Sequence, residues 1–239
     1  MERLWLVPTF AILTLLLVGP TLAFVHAVPG LLGFSLVLLA ALIGVVFGIG
    51  LAGAAAFATV TNKPWRPRAL RAAIVPLLVG LPVLAMAGMS KVPRIHDIST
   101  DPSDRLEFTP EVKALSMNQD AEGEERTWVE TQQRQSYPDV VPIHVDLPPA
   151  GAFERAKAVA DRMPGWVVTH ADADAGRIEA TATSRLFHFV DDVIVRVKPD
   201  GAGARIDVRS RSRVGQSDLG ANAARIEAFA QELQRKKTE

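Results

Sequence analysis

From Leu4 to Asn62 the chain carries no Lys, Arg, Asp or Glu, an apolar run that must be divided into spans of about 20 residues if it crosses a bilayer. Pro29 and Gly30 are the natural break, so the pattern predicts a first transmembrane helix over 4–27 and a second over 31–61. A third apolar run, 72–89, is near the lower length limit for a helix crossing the hydrocarbon core. Pro8, Pro20, Pro76 and Pro82 would kink the outer two spans. Together they make 1–90 a membrane domain. A cleaved leader is the competing reading of the first span, but its apolar stretch is long for a signal core and the cleavage pattern is poor.

Residues 91–136 are polar and largely aperiodic, with the acidic run Glu122, Gly123, Glu124, Glu125, and read as a linker and the irregular, partly exposed start of a soluble domain. Order returns at 137. Val141, Ile143, Val145 and Leu147 alternate with polar residues and Pro142, which predicts a half-buried strand near a sheet edge. Phe153, Ala156, Ala160 and Met163 share a helical face, ended by Pro164 and Gly165. A strand from Trp166 to His170, a turn at Asp174, Ala175 and Gly176, and a strand with Ile178, Ala180, Ala182 and Ser184 on one face follow.

The turn at Pro199, Asp200 and Gly201 joins two more strands. Val193, Val195 and Val197 face one way in the first. In the second, Ile206, Val208, Ser210 and Val214 share that face, with Arg205, Asp207, Arg209, Arg211 and Arg213 on the other. Leu219, Ala223, Ile226, Ala230 and Leu233 mark a closing helix capped by Ser217 or Asp218, with Phe229 also expected against the sheet. The order strand, helix, four meandering strands, helix predicts an α+β domain over 137–239: an antiparallel sheet with helices on its apolar face.

Charge divides the chain at the same place. Residues 1–94 hold seven bases and one acid, net +6, and residues 95–239 hold 19 bases and 25 acids, net −6. An acidic domain lacks the basic footprint that a nucleic-acid partner requires. Lys63, Arg66, Arg68 and Arg71 cluster between the second and third apolar runs. Positive charge near span ends is held in the cytoplasm, so this basic loop predicts a multi-pass inner-membrane protein with a periplasmic C-terminal domain, against a weaker pull from Lys91 and Arg94. The absence of Cys excludes disulfides, thiolate metal sites and Cys nucleophiles.

Within the second span Gly44, Gly48, Ala52 and Ala56 recur at four-residue spacing. Such a stripe admits a close helix neighbour, either a second copy in a homodimer or the chain's own first or third helix. No charged residue lies inside any span, which disfavours an ion or proton pathway.

The segments from Arg94 to Asp101, Tyr137-Pro138-Asp139, Ile178 to Thr183 with Arg185-Leu186-Phe187, Val190-Asp191-Asp192-Val193, and Arg205 to Asn222 resemble the family catalogued as domain of unknown function 1499, over about residues 94–235. Some members are preceded by membrane spans. The resemblance implies a domain boundary and no chemistry.

Candidate chemistry must come from the residues. His96 and Asp97, followed by Ser99, Thr100 and Asp101, form a polar cluster that would line a site near the membrane or hold the linker through local turns. Arg185, His188, Asp191 and Asp192 surround a bend between strands, flanked by Phe187 and Phe189, and read as a pocket or as a structural bend. Arg205, Arg209, Arg211 and Arg213 make a candidate anion-binding stripe, unless Glu179, Asp192 and Asp207 pair with them across neighbouring strands. His170, Asp172 and Asp174 alternate as metal ligands would but lead into a tight turn, and Ser184, His188 and Asp191 lack a nucleophile elbow. No catalytic set, metal or cofactor is assigned.

Two function classes remain. One is a membrane-anchored, non-catalytic domain that binds a lipid or protein of the envelope; the other is a hydrolase or transferase acting on a lipid or cell-wall substrate. Convergence of His96, His188 and an Asp in one cleft would favour the second.

Overall fold

The structure, a computed structural model, describes residues 7–88 and 92–235. They divide into a helical unit, Met1–Lys91 with Arg185–His188, and a sheet unit, Val92–Ser184 with Phe189–Glu239.

The helical unit contains α1 (Val7–Phe24), α2 (Gly30–Val60) and α3 (Arg66–Gly88). Pro29 ends the α1–α2 connection in extended backbone, so the expected break is where the chain turns. Two helices meet the length and apolarity of a membrane span, Gly30–Val60 and Arg66–Ala85, while the apolar part of the first, Phe10–Phe24, is shorter. Residues 4–6 of the expected first span, Met89 of the third, and Lys91 lie outside the described residues. The basic cluster differs from expectation. Arg66, Arg68 and Arg71 sit in the first turns of α3 and only Lys63 is in the turn, because Pro67, near the start, suits a first helical turn and starts the helix upstream of its apolar stretch.

The small-residue stripe is occupied from within the chain at two of its four positions. A side chain at Gly44 would meet Ile12 of α1, and one at Gly48 would meet Leu77 of α3. Ala52 is half-buried and Ala56 exposed.

The sheet unit runs β1 (Asp97–Ser99), α4 (Pro110–Ala114), α5 (Gly123–Ser136), β2 (Ile143–Val145), α6 (Pro149–Ala160), β3 (Trp166–Asp172), β4 (Arg177–Thr183), β5 (Val190–Asp200), β6 (Gly203–Ser212) and α7 (Ala221–Gln234). All pairings are antiparallel, in the order β1-β6-β5-β4-β3, with β2 also on β6. The β3–β6 meander and its two helices are as the alternation predicts. At the β3–β4 turn Gly176 has φ +60°, and a Cβ there would lie 2.2 Å from the Val197 carbonyl oxygen, so the turn requires glycine.

One face of the sheet holds Ile178, Ala180, Val193, Val195, Ile206 and Val208 against Phe153 and Ala156 of α6 and Ile226 and Phe229 of α7. Phe229 also stacks on Trp166 of β3, centroids 5.6 Å apart. Each large apolar side chain buried this way stabilises the fold by about 1.5–3 kcal/mol. Two expected core positions are outside it. Val141 is exposed and Val140 is buried in its place, because β2 begins only at Ile143. Leu219, with φ +54°, is exposed because α7 starts at Ala221; Asp218 caps that start by accepting from the Gly220 and Asn222 N–H groups at 2.8 and 2.9 Å.

The opposite sheet face is covered. The segment between β1 and α5, within the stretch expected to be irregular and partly exposed, folds back across it, with Leu106, Phe108 and Val112 packed on Ile194 of β5. The acidic run forms the first turn of α5, where Glu124 and Glu125 suit the positive end of the helix dipole.

Candidate binding cleft and the buried arginine face

Arg205, Arg209 and Arg211 of β6 and Arg213 just beyond it do not form a solvent-facing stripe. Arg209 and Arg211 are 0% and 1% exposed. Arg209 Nε and Nη2 donate to the two carboxylate oxygens of Asp97 at 2.9 and 2.7 Å, its Nη1 donates to the Leu106 carbonyl, and Asp120 accepts from Nη2 as well. Arg211 Nη1 donates to Asp120 at 2.7 Å. The Phe108 ring lies 4.6 Å from the Arg209 guanidinium carbon and 4.8 Å from that of Arg211, a double cation–π contact under the cover. Arg213 donates twice to Asp192, and Arg205 donates to Asp101 and Asp207.

This arrangement corrects both readings of the stripe. The pairing acids include Asp192 and Asp207, as cross-strand pairing anticipates, but Asp97 comes from β1 and Asp101 and Asp120 from the covering segment, and Arg209 and Arg211 at the centre of the face are buried rather than solvated. Glu179 pairs with Arg177 of its own strand. Burial pushes the Asp120 pKa up, but Arg209, Arg211 and Lys113 outweigh it and hold the carboxyl well below the usual range. Ser103 and Arg205 likewise hold Asp101 low against its desolvation.

The Arg185, His188, Asp191, Asp192 constellation is separated. Successive residues of β5 point to opposite faces. Asp192 therefore reaches Arg213 under the cover, whereas Asp191 meets Arg225 of α7 on the helix side. Arg225 also donates to Ser210 at 2.8 Å, and Asn222 bridges Ser210, Ser212 and the His96 carbonyl. Arg185–His188 groups with the helical unit, and His188 adopts the left-handed conformation at φ +52°. Ser184 closes the bend by accepting the Phe189 N–H at 2.9 Å. Asp172 ends β3 and accepts the Ala175 N–H, a local turn bond.

His96 and Asp97 do line a cleft. Its volume is about 340 Å³ and its walls are Arg94, His96 and Asp97 from the segment entering β1, Gln119 and Ala121 from the end of the cover, Glu125, Trp128 and Val129 from α5, and Gln216. Two hydrogen bonds to its carbonyl, from the Ser212 N–H at 2.9 Å and Asn222 at 3.0 Å, fix the His96 backbone. Asp97 is committed to Arg209. Trp128 is 48% exposed. Arg94 donates to Gln216 Oε1 at 2.9 Å.

Glu125, Trp128, Gln119 and Gln216 escape the sequence reading. The available signal was the spacing of Glu125, Trp128 and Val129, which share one face if the segment is helical. Its low apolar content hid that helix.

No curated protein and no solved structure matches the chain. A family described as "Protein of unknown function (DUF1499)" matches residues 97–233, from β1 to the last turn of α7. The chain belongs to that family.

Proposed function

We propose that this chain is a membrane-anchored, non-catalytic binding protein of the inner membrane, whose sheet unit lies on the periplasmic side and takes up an envelope component in the cleft between the start of β1 and α5. The observation that carries the reading is the cleft itself. It gathers Arg94 and His96 from the entry to β1 and Glu125 and Trp128 from one turn of α5, and its volume lies in the range of small-molecule sites. Anchoring is supported by the two helices long and apolar enough to span a bilayer, and orientation by Lys63 in the turn between them and Arg66, Arg68 and Arg71 in the first turns of the second. Arg94 follows Gly88 by only six residues, a short tether that favours a ligand found at the membrane surface.

Binding is favoured over catalysis because Asp97, the acid next to His96, has both oxygens bonded to Arg209, and no carboxylate is hydrogen-bonded to the imidazole among the described residues. Mass spectrometry of small molecules co-purifying with the full chain in maltoside detergent tests the proposal. A compound enriched with the wild type and lost from Ala121→Trp, which fills the cleft, is the expected result. Identical spectra from the two proteins would overturn it.

A further inference from the structure

Two opposite charges line the cleft without meeting. Arg94 bonds to the neutral Gln216 and has no acid within 4.0 Å among the described residues, and Glu125 likewise has no cation. The remaining acid of the walls, Asp97, is neutralised by Arg209. Glu125 and Trp128 are one helical turn apart on α5, so the carboxylate and the exposed indole face lie side by side. His96 lines the same cleft, and its ring has no hydrogen-bond partner among the described residues.

An anion would satisfy Arg94 and leave Glu125 repelling it within a unit already net negative. A cation would satisfy Glu125 and Trp128 and leave Arg94 unmatched, and an uncharged sugar could hydrogen-bond to both charges but would neutralise neither. The ligand that answers all four groups carries both signs. We propose that the cleft binds a phosphate–ammonium zwitterion, the phosphodiester accepting from Arg94 and His96 and the ammonium lying between the Glu125 carboxylate and the Trp128 ring. This assignment rests on the binding reading above. Phospholipid headgroups and free glycerophosphodiesters share the chemistry.

The full chain in maltoside is titrated by calorimetry with glycerophosphocholine and glycerophosphoethanolamine, with glycerol 3-phosphate and choline as the separate halves. The zwitterions are expected to bind saturably, one per chain, with each half at least about tenfold weaker. Arg94→Gln and Glu125→Gln should each weaken binding by about 3- to 10-fold, and Trp128→Leu by a few-fold. These side chains are exposed, and unchanged melting temperatures separate lost binding from lost folding. Dihexanoyl phosphatidylcholine below its micelle-forming concentration distinguishes the sources: clearly tighter binding than glycerophosphocholine identifies a membrane lipid, and equal binding a free zwitterion.

The proposal is overturned if neither zwitterion binds at millimolar concentration, if glycerol 3-phosphate binds equally well, or if Glu125→Gln binds unchanged. Should zwitterions fail while Ala121→Trp still strips another compound from the protein, only the ligand class falls. Should that variant strip nothing, the binding reading falls too.

Discussion

Gln133 holds both backbone groups of Ser99. The Ser99 N–H donates to Gln133 Oε1 at 3.1 Å, and Gln133 Nε2 donates to the Ser99 carbonyl at 2.6 Å. A single side chain on α5 thus takes the place of another strand beside β1, and it ties the helix bearing Glu125 and Trp128 to the strand bearing Asp97. Gln133→Ala would leave two buried backbone groups unpaired, at about 1–3 kcal/mol. Thermal melting should show that loss, and hydrogen exchange should show faster exchange at the Ser99 amide.

Asp120 is the one hydrogen-bond partner of the Arg211 guanidinium among the described residues, whose Nε and Nη2 are buried without one. Asp120→Asn should therefore destabilise the sheet unit strongly, by about 3–5 kcal/mol near neutral pH, as removal of one member of a buried pair does. The folded-state pKa of Asp120 is depressed, so its contribution is present above the ordinary carboxylate range and lost as pH falls towards the folded value. Denaturant melts from pH 7 to pH 2 should show the gap between wild type and variant closing below about pH 4.

Tyr137 is the only tyrosine in the chain. Burial, then the nearby Asp218 and Glu227 charges, push its pKa up to about 12. Absorbance titration of phenolate should give a single transition near that value, and Asp218→Asn should move it down. The raised pKa disfavours the phenolate in the fold, so stability from this group is full below pH 10 and declines as pH rises towards 12.

Ile226 is 2% exposed against the sheet. Ile226→Ala should cost about 2–5 kcal/mol and lower the melting temperature of the full chain in detergent by roughly 10 °C. An unchanged melting temperature would contradict the packing of α7.

The proposed topology predicts that alkaline phosphatase fused after Glu239 is active. Activity only of a cytoplasmic reporter at that site would reverse the assignment.

The sheet unit's apolar half was legible because period-two and period-3.6 patterns report burial directly: Val193, Val195 and Val197, or Ile226 and Phe229, have no other reason to recur as they do. The other half was not. A strand reading Arg205, Asp207, Arg209, Arg211 looks like a wet surface, since charges are almost never fully buried unless paired, and the partners of these arginines lie some 90–110 residues away in a stretch without periodicity. The cleft was half legible. His96 and Asp97 stood out as a polar cluster, while the α5 wall depended on a helix whose sequence carries almost no apolar stripe.

The position of β6 in the sheet has a consequence for the order in which this unit is made. β6 is the last strand of the chain, yet β1 and β2 both pair with it and Asp97, Asp101 and Asp120 all find their arginines on it. The segment carrying β1, once it has left the ribosome, therefore cannot complete these pairings until residues near 211 follow it. Loop closure over about a hundred residues makes this step slow, and until it occurs the three aspartates and the three arginines that pair with them remain in water, keeping the unfinished domain soluble while it waits.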